Sequence, residues 1–143
     1  MLSDVGFKAM NALHRIVLRV SGGRLGWTAL GMPVLELTTT GRASGVARSV
    51  MLTSPLQEGA VLVVVASRGG DDHPPGWLLN LQDHPDVQVR LQGGARHRMH
   101  GRVATPQERE RLWPRITASH SNYAGYQRRT TREIALVLLE PVA

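Results

Sequence analysis

Apolar residues change their period several times along this chain, and each change marks a new element. In residues 4–21 Phe7, Met10, Leu13, Val17 and Val20 recur at three- and four-residue spacing, with Lys8, Arg15 and Arg19 on another face. That spacing predicts an amphipathic helix, capped by Ser3 or Asp4 and ended by Gly22-Gly23. It divides the chain into an N-terminal helical arm, 1–24, and a main domain, 25–143. The arm reads in two ways: as a cover packed on the main domain, or as a basic anchor on an anionic membrane surface.

Beyond the glycine-rich stretch 22–31 the period falls towards two. Residues 34–40 (Val-Leu-Glu-Leu-Thr-Thr-Thr) predict a strand, 40–45 a turn, and 49–53 a returning strand. Residues 60–66 are continuously apolar, as in a strand buried on both faces. Pro74-Pro75 opens a short helix over 77–83, and His84-Pro85 closes it. Val87, Val89 and Leu91 then alternate with polar residues, Gly93-Gly94 predicts a two-residue hairpin turn, and 95–104 return. Arg96, Arg98, His100 and Arg102 share one face of that return, which reads as an anion-binding strip or, as is usual for such a charge run, a solvated hairpin face. Thr105-Pro106-Gln107-Glu108 is a capping box starting a helix that runs to about Ser119. A tyrosine-containing segment and a last strand, 133–140, complete the chain. The order α, β-β-β, α, β-β, α, β predicts a mainly-β α+β fold or a closed barrel with about three peripheral helices.

Composition narrows the chemistry. The 143 residues suit one domain, and 42% apolar content suits a packed core. With no cysteine there are no disulfides, thiolate nucleophiles or thiolate metal sites. The six histidines have no ligand spacing, so no metal is expected. His14, Arg15 and Arg19 interrupt the N-terminal apolar run, which argues against a signal peptide or spanning helix. The expected location is cytoplasmic, with peripheral membrane contact through the arm. The net charge of +6 is carried almost wholly by arginine, since Lys8 is the one lysine. Arginine forks bind carboxylates and phosphates bidentately, so an anionic small ligand is the natural partner. Nucleic acid is not expected, because stacking aromatics are few and no recognition motif is present.

Four segments carry candidate chemistry. In 38–48, Arg42, Ser44, Gly45 and Arg48 surround a strand-end turn whose backbone N–H groups can cradle an anion. No Walker loop is present, since no Gly-Lys-Ser/Thr follows, and no dinucleotide fingerprint, since a strand rather than a helix comes next. Ala66, Ser67, Gly69 and Gly70 lie at the mouth of the apolar strand. Trp77 and Asn80 are three residues apart on one helix, and Tyr123 and Tyr126 repeat that spacing. A phenol can give a proton or hydrogen bond to a reduced acceptor.

Taken in order, these segments resemble the deazaflavin-dependent nitroreductase and quinone reductase family, over roughly residues 34–141. The likeness rests on four runs. They are Leu37-Thr38-Thr39-Thr40-Gly41-Arg42-x-Ser44-Gly45-x-x-Arg48; Val63-Val64-Val65-Ala66-Ser67-x-Gly69-Gly70; Trp77-x-x-Asn80-Leu81 with Pro85; and Leu112-Trp113-Pro114 with Tyr123-x-x-Tyr126-Gln127-Arg128-Arg129-Thr130. The resemblance implies a split β-barrel related to flavin-binding barrels, with coenzyme F420 as hydride carrier and a quinone or nitroaromatic as acceptor. It implies a phosphate-and-tail site around Arg42, Ser44 and Arg48, and ring contacts near Ala66, Ser67, Gly69 and Trp77. Tyr123 and Tyr126 would sit by the acceptor. Three departures stand out: Ala43 where the family commonly has lysine, Thr53 where some nitro-reducing relatives have an aromatic, and Leu78 where tyrosine is frequent. The competing readings are an FMN- or haem-binding barrel and a non-catalytic module for anions or nucleic acid.

Overall fold

The computed structural model describes residues 28–29 and 31–142. The expected N-terminal helix, with its lipid contact, lies outside the described residues. Eight strands occur among them: β1 (Thr28–Ala29), β2 (Met32–Thr40), β3 (Ala47–Thr53), β4 (Leu56–Glu58), β5 (Val61–Val65), β6 (Asp86–Leu91), β7 (Arg96–Val103) and β8 (Leu136–Pro141). Three helices join them: α1 (Gly76–Asp83), α2 (Pro106–Ser119) and α3 (Asn122–Arg128). Every ladder is antiparallel, and the sheet runs β1-β2-β6-β7-β8-β5-β4, with β3 also paired to β2. Strands β3 and β4 are thus sheet edges, yet they are consecutive in the chain. The sheet curls until Ser54-Pro55 bridges the two edges, and no ladder among the described residues zips them together. The barrel is therefore split.

Ser54 is the stitch across that opening. It is fully buried; its N–H donates to the Pro33 carbonyl (3.0 Å) and its hydroxyl to the Val63 carbonyl (2.7 Å). Inside, Leu35, Leu37, Leu62, Val64, Val87, Val89, Met99, Val137 and Leu139 meet as one core. Alternation along each strand turns these side chains to the same face. Helix α1 adds Trp77, Leu78 and Leu81 to this cluster. Its close approach needs Gly101 on β7, where an added Cβ would lie 2.3 Å from a Leu81 methyl carbon. A second cluster packs the other face of β5 and β8 (Val63, Val65, Leu136, Leu138) against Leu112, Ile116 and Tyr123 from α2 and α3. This explains why 61–65 are continuously apolar: each face of β5 has its own core.

Three expectations need correction. The hairpin turn is centred on Gln92-Gly93, not Gly93-Gly94. The Gly94 N–H donates to the Leu91 carbonyl (2.9 Å), and Gln92 and Gly93 carry the positive φ values of 49° and 75°. The last strand begins at Leu136, not at 133, because the Ile134 N–H is taken by the Gln127 side chain (2.9 Å) instead of a ladder partner. Strands β1 and β4 were not anticipated, being too short to show a period. The capping box of α2 is present, with the Glu108 N–H donating to Thr105 Oγ1 (3.2 Å) and the Thr105 N–H to Glu108 Oε1 (2.8 Å).

Candidate active site

The β2–β3 turn is a closed loop of hydrogen bonds. Gly41 N–H donates to the Val46 carbonyl, Gly45 N–H to the Gly41 carbonyl (both 2.8 Å), and Val46 N–H to Ser44 Oγ (3.2 Å). Gly45 sits at φ 70°, a conformation that favours glycine. From α1, the buried Asn80 clasps this turn. Its side-chain oxygen accepts from the Arg42 N–H (3.2 Å) and guanidinium (2.8 Å), while its amide nitrogen donates to Thr39 Oγ1 (3.2 Å). Arg48 stands on β3 opposite Thr39 in the ladder and is exposed. Neither Arg42 nor Arg48 has a carboxylate partner among the described residues. A shallow depression bordered by Arg42, Leu79, Gln82 and Asp83 adjoins the turn. Two cations on a glycine-shaped turn suit an anion with several oxygens.

The second arm is the loop after β5. Ala66 and Ser67 are buried, and Arg68, Gly69 and Gly70 follow in the left-handed region at φ 45°, 67° and 85°. The two glycines take this conformation freely, whereas Arg68 is costly there unless its surroundings hold it. Here they are held by the chain between α3 and β8. Arg132 donates to the carbonyls of Ala66 (3.2 Å), Ser67 (2.9 Å) and Asp71 (2.8 Å). Burial pushes its guanidinium below the ordinary pKa. Arg129 donates to the Gly69 carbonyl (3.4 Å). Gly70 lies so close to α3 that an added Cβ would stand 2.7 Å from the Tyr126 carbonyl oxygen.

The two phenols have different surroundings. Tyr123 is 5% exposed, and its hydroxyl pairs with Thr53 Oγ1 (3.2 Å) and donates to Met32 Sδ (3.6 Å). Burial pushes its pKa up. Tyr126 is half-buried, edge-on to Tyr123 with ring centroids 5.9 Å apart, and the Arg129 guanidinium lies 5.6 Å from its ring. Trp77, like Tyr123, is packed into a core cluster. Thr53, noted from sequence only as a departure, is therefore the hydrogen-bond partner of Tyr123.

The structure thus gathers the twelve sequence-predicted residues into two arms: Arg42, Ser44, Gly45, Arg48 and Asn80 on one, and Ala66, Ser67, Gly69, Gly70, Tyr123 and Tyr126 on the other. Trp77 lies in the first turn of α1, the helix that also bears Asn80. Sequence reasoning missed Arg132 and assigned no role to Gln127, whose amide donates to the Arg132 carbonyl (2.7 Å). Gln127 lies in the last turn of α3 and Arg132 in the polar connection after it, and only the folded chain shows what they hold. Among the described residues no three His, Asp or Glu side chains gather to hold a metal, and no helix is long and apolar enough to cross a membrane.

Comparison with known proteins identifies the family and the fold. The family model for F420H(2)-dependent quinone reductase matches residues 11–141. An F420H(2)-dependent quinone reductase of Mycobacterium tuberculosis is 36% identical over 131 residues, covering 89% of this chain and 87% of that protein. The solved structure of an F420-H2 dependent reductase, FDR-A, superposes with a TM-score of 0.66 at 34% identity, covering 76% of this chain and 94% of that one. A pyridoxamine 5′-phosphate oxidase-like protein of Listeria innocua shares the fold alone, with a TM-score of 0.54 at 13% identity, covering 92% of this chain and 94% of that one.

Proposed function

The chain belongs to the F420H(2)-dependent quinone reductase family, and from that premise we propose that coenzyme F420 spans its two arms while Tyr126 serves a quinone-like acceptor. The protein is an F420-dependent oxidoreductase. When bound, the reduced deazaflavin supplies a hydride equivalent. Reduction of a quinone to a quinol takes one hydride and one proton, and the protein's residues bind, orient and supply the proton.

Arg42 and Arg48 receive the phosphate and carboxylates of the coenzyme tail, with Gly45 letting the turn close and Ser44 bracing it. The observation that carries this reading is that these two cations have no carboxylate partner among the described residues. Asn80 holds Arg42 and Thr39 in place. Ala66, Ser67, Gly69 and Gly70 form the edge that meets the ring system. Trp77 supports this edge from the core. Tyr126 presents its phenol to the acceptor, because it is the more exposed of the pair, and donates the proton to the oxygen that gains charge. Tyr123 backs it through the edge-on ring contact.

Two measurements test this. Fluorescence titration with oxidised F420, beside FMN, should give F420 binding that Arg48→Ala weakens about tenfold. Tyr126→Phe should cut turnover with a soluble quinone about a hundredfold at near-normal coenzyme affinity. A nitroaromatic run in parallel reads whether the same phenol serves that acceptor. Unchanged quinone turnover in Tyr126→Phe and in the Tyr123→Phe/Tyr126→Phe double variant makes the phenols packing groups and solvent the proton source.

A further inference from the structure

The loop after β5 is bent into a shape that two glycines permit but that Arg68 does not favour. Arg68 is a non-glycine residue at φ 45°, followed by Gly69 and Gly70 at 67° and 85°. Its internal backbone bonds are few: Gly70 N–H to the Ser67 carbonyl (2.9 Å) and Asp71 N–H to the Arg68 carbonyl (3.2 Å). One guanidinium from a distant part of the chain takes three carbonyls, those of Ala66, Asp71 and, shared with the Gly70 N–H, Ser67. A trans peptide sets its N–H opposite its C=O. Holding the Ala66 and Ser67 carbonyls on the Arg132 side therefore turns the Ser67 and Arg68 N–H groups to the other side. Arg132 is in turn fixed through its own backbone: its carbonyl accepts from Gln127 (2.7 Å) and its N–H donates to Thr130 Oγ1 (3.3 Å).

We propose that Arg132 is a positioning residue that presets the 66–71 loop in its ligand-receiving shape and couples it to the helix bearing Tyr126. Without it the loop would have to be ordered at the moment of binding, which lowers affinity. Three carbonyls arranged around one planar fork explain why arginine stands there. Lysine offers a single nitrogen and cannot span them. The proposal rests on the placement of the coenzyme at this loop, and its test separates the two.

Arg132→Lys and Arg132→Gln are compared with the parent by amide hydrogen exchange without coenzyme, by thermal melting, and by F420 titration. Exchange at 67–71 should speed by about tenfold or more, while the β6–β7 amides stay protected. The dissociation constant for F420 should rise about tenfold. At saturating F420, kcat with a quinone should change much less than the affinity, because the phenol and the acceptor side remain. Arg48→Ala should raise the dissociation constant without altering exchange at 67–71. Unchanged exchange at the loop in both Arg132 variants overturns the clamp. Faster exchange with unchanged F420 affinity overturns the coenzyme's placement on this loop. If Arg132→Gln melts globally, with β6–β7 exchange rising in step, Arg132→Lys carries the decision. The same global loss in both variants makes Arg132 a general fold residue and overturns the proposal.

Discussion

Along β7 and α2 the arginines face carboxylates; around the β2–β3 turn they do not. Arg96 meets Glu36 at 3.1 Å, Arg98 meets Asp86 at 3.8 Å, and Arg111 and Arg115 share Glu58 at 2.7 and 2.9 Å. Arg102 forks onto Glu108 at 2.7 Å and reaches Glu140 at 2.8 Å, tying β7 to α2 and β8. Arg42 instead meets a neutral amide, and Arg48 projects from β3. Both regions look alike in sequence, as arginines spaced along polar faces and turns. What stands opposite separates them: a neutralised cation serves the fold, whereas an uncompensated one keeps its field for a ligand. Of the strip expected to be a solvated face, Arg96, Arg98 and His100 are exposed, while Arg102 is half-buried between its two carboxylates.

Substitutions can break or sharpen this contrast. The largest effect is expected from Arg48→Glu, which places a negative charge where the anionic tail is received. F420 affinity should fall about a hundredfold, or about 2.7 kcal/mol, with the melting temperature unchanged. The reverse pattern is expected for Arg102→Gln. It strips two carboxylates of their partner and should cost roughly 1–2 kcal/mol in denaturant unfolding while leaving F420 affinity alone. Loss of affinity there, or loss of stability at Arg48, would erase the division between the two sets.

A pH series probes the structural set without mutation. The Arg102 guanidinium, and then the Thr105 N–H, hold the Glu108 carboxyl down from its ordinary 4.5 to about 2. Between those values the unfolded chain binds the proton that the folded chain refuses. The stabilisation is therefore fully present above about 4.5 and is lost as pH falls towards 2. Urea midpoints measured down this range should fall for the parent and fall less for Glu108→Gln. The smallest effect is expected for Arg98→Ala. Its pair with Asp86 is long and exposed on both sides, so stability should change by less than about 0.5 kcal/mol.

Most of the strand order, both longer helices and the coenzyme family were legible in the sequence, because each depends on short-range pattern. Alternation in residues 86–91, the apolar run 61–65 and the capping box at Thr105 act within a few residues of themselves. The turn at 92–93 was misplaced by one position, because two adjacent glycines hid the left-handed Gln92. The start of β8 lies later than expected because the Ile134 N–H is taken by the Gln127 side chain, a competitor that strand periodicity does not register.

The sequence by itself determined the elements, the arginine-rich charge and the motif residues that name the family, since these are properties of neighbours along the chain. Only the tertiary structure decided which arginines are neutralised, because Glu36, which meets Arg96, and Glu140, which meets Arg102, lie 60 and 38 residues away. It also decided that Tyr123 faces the core and Tyr126 the half-exposed side. And it made Arg132 the keeper of a loop 61–66 residues before it. Curling a sheet until its edges meet brings such distant groups within hydrogen-bond reach, and pairing at that range depends on the closed geometry rather than on any local preference.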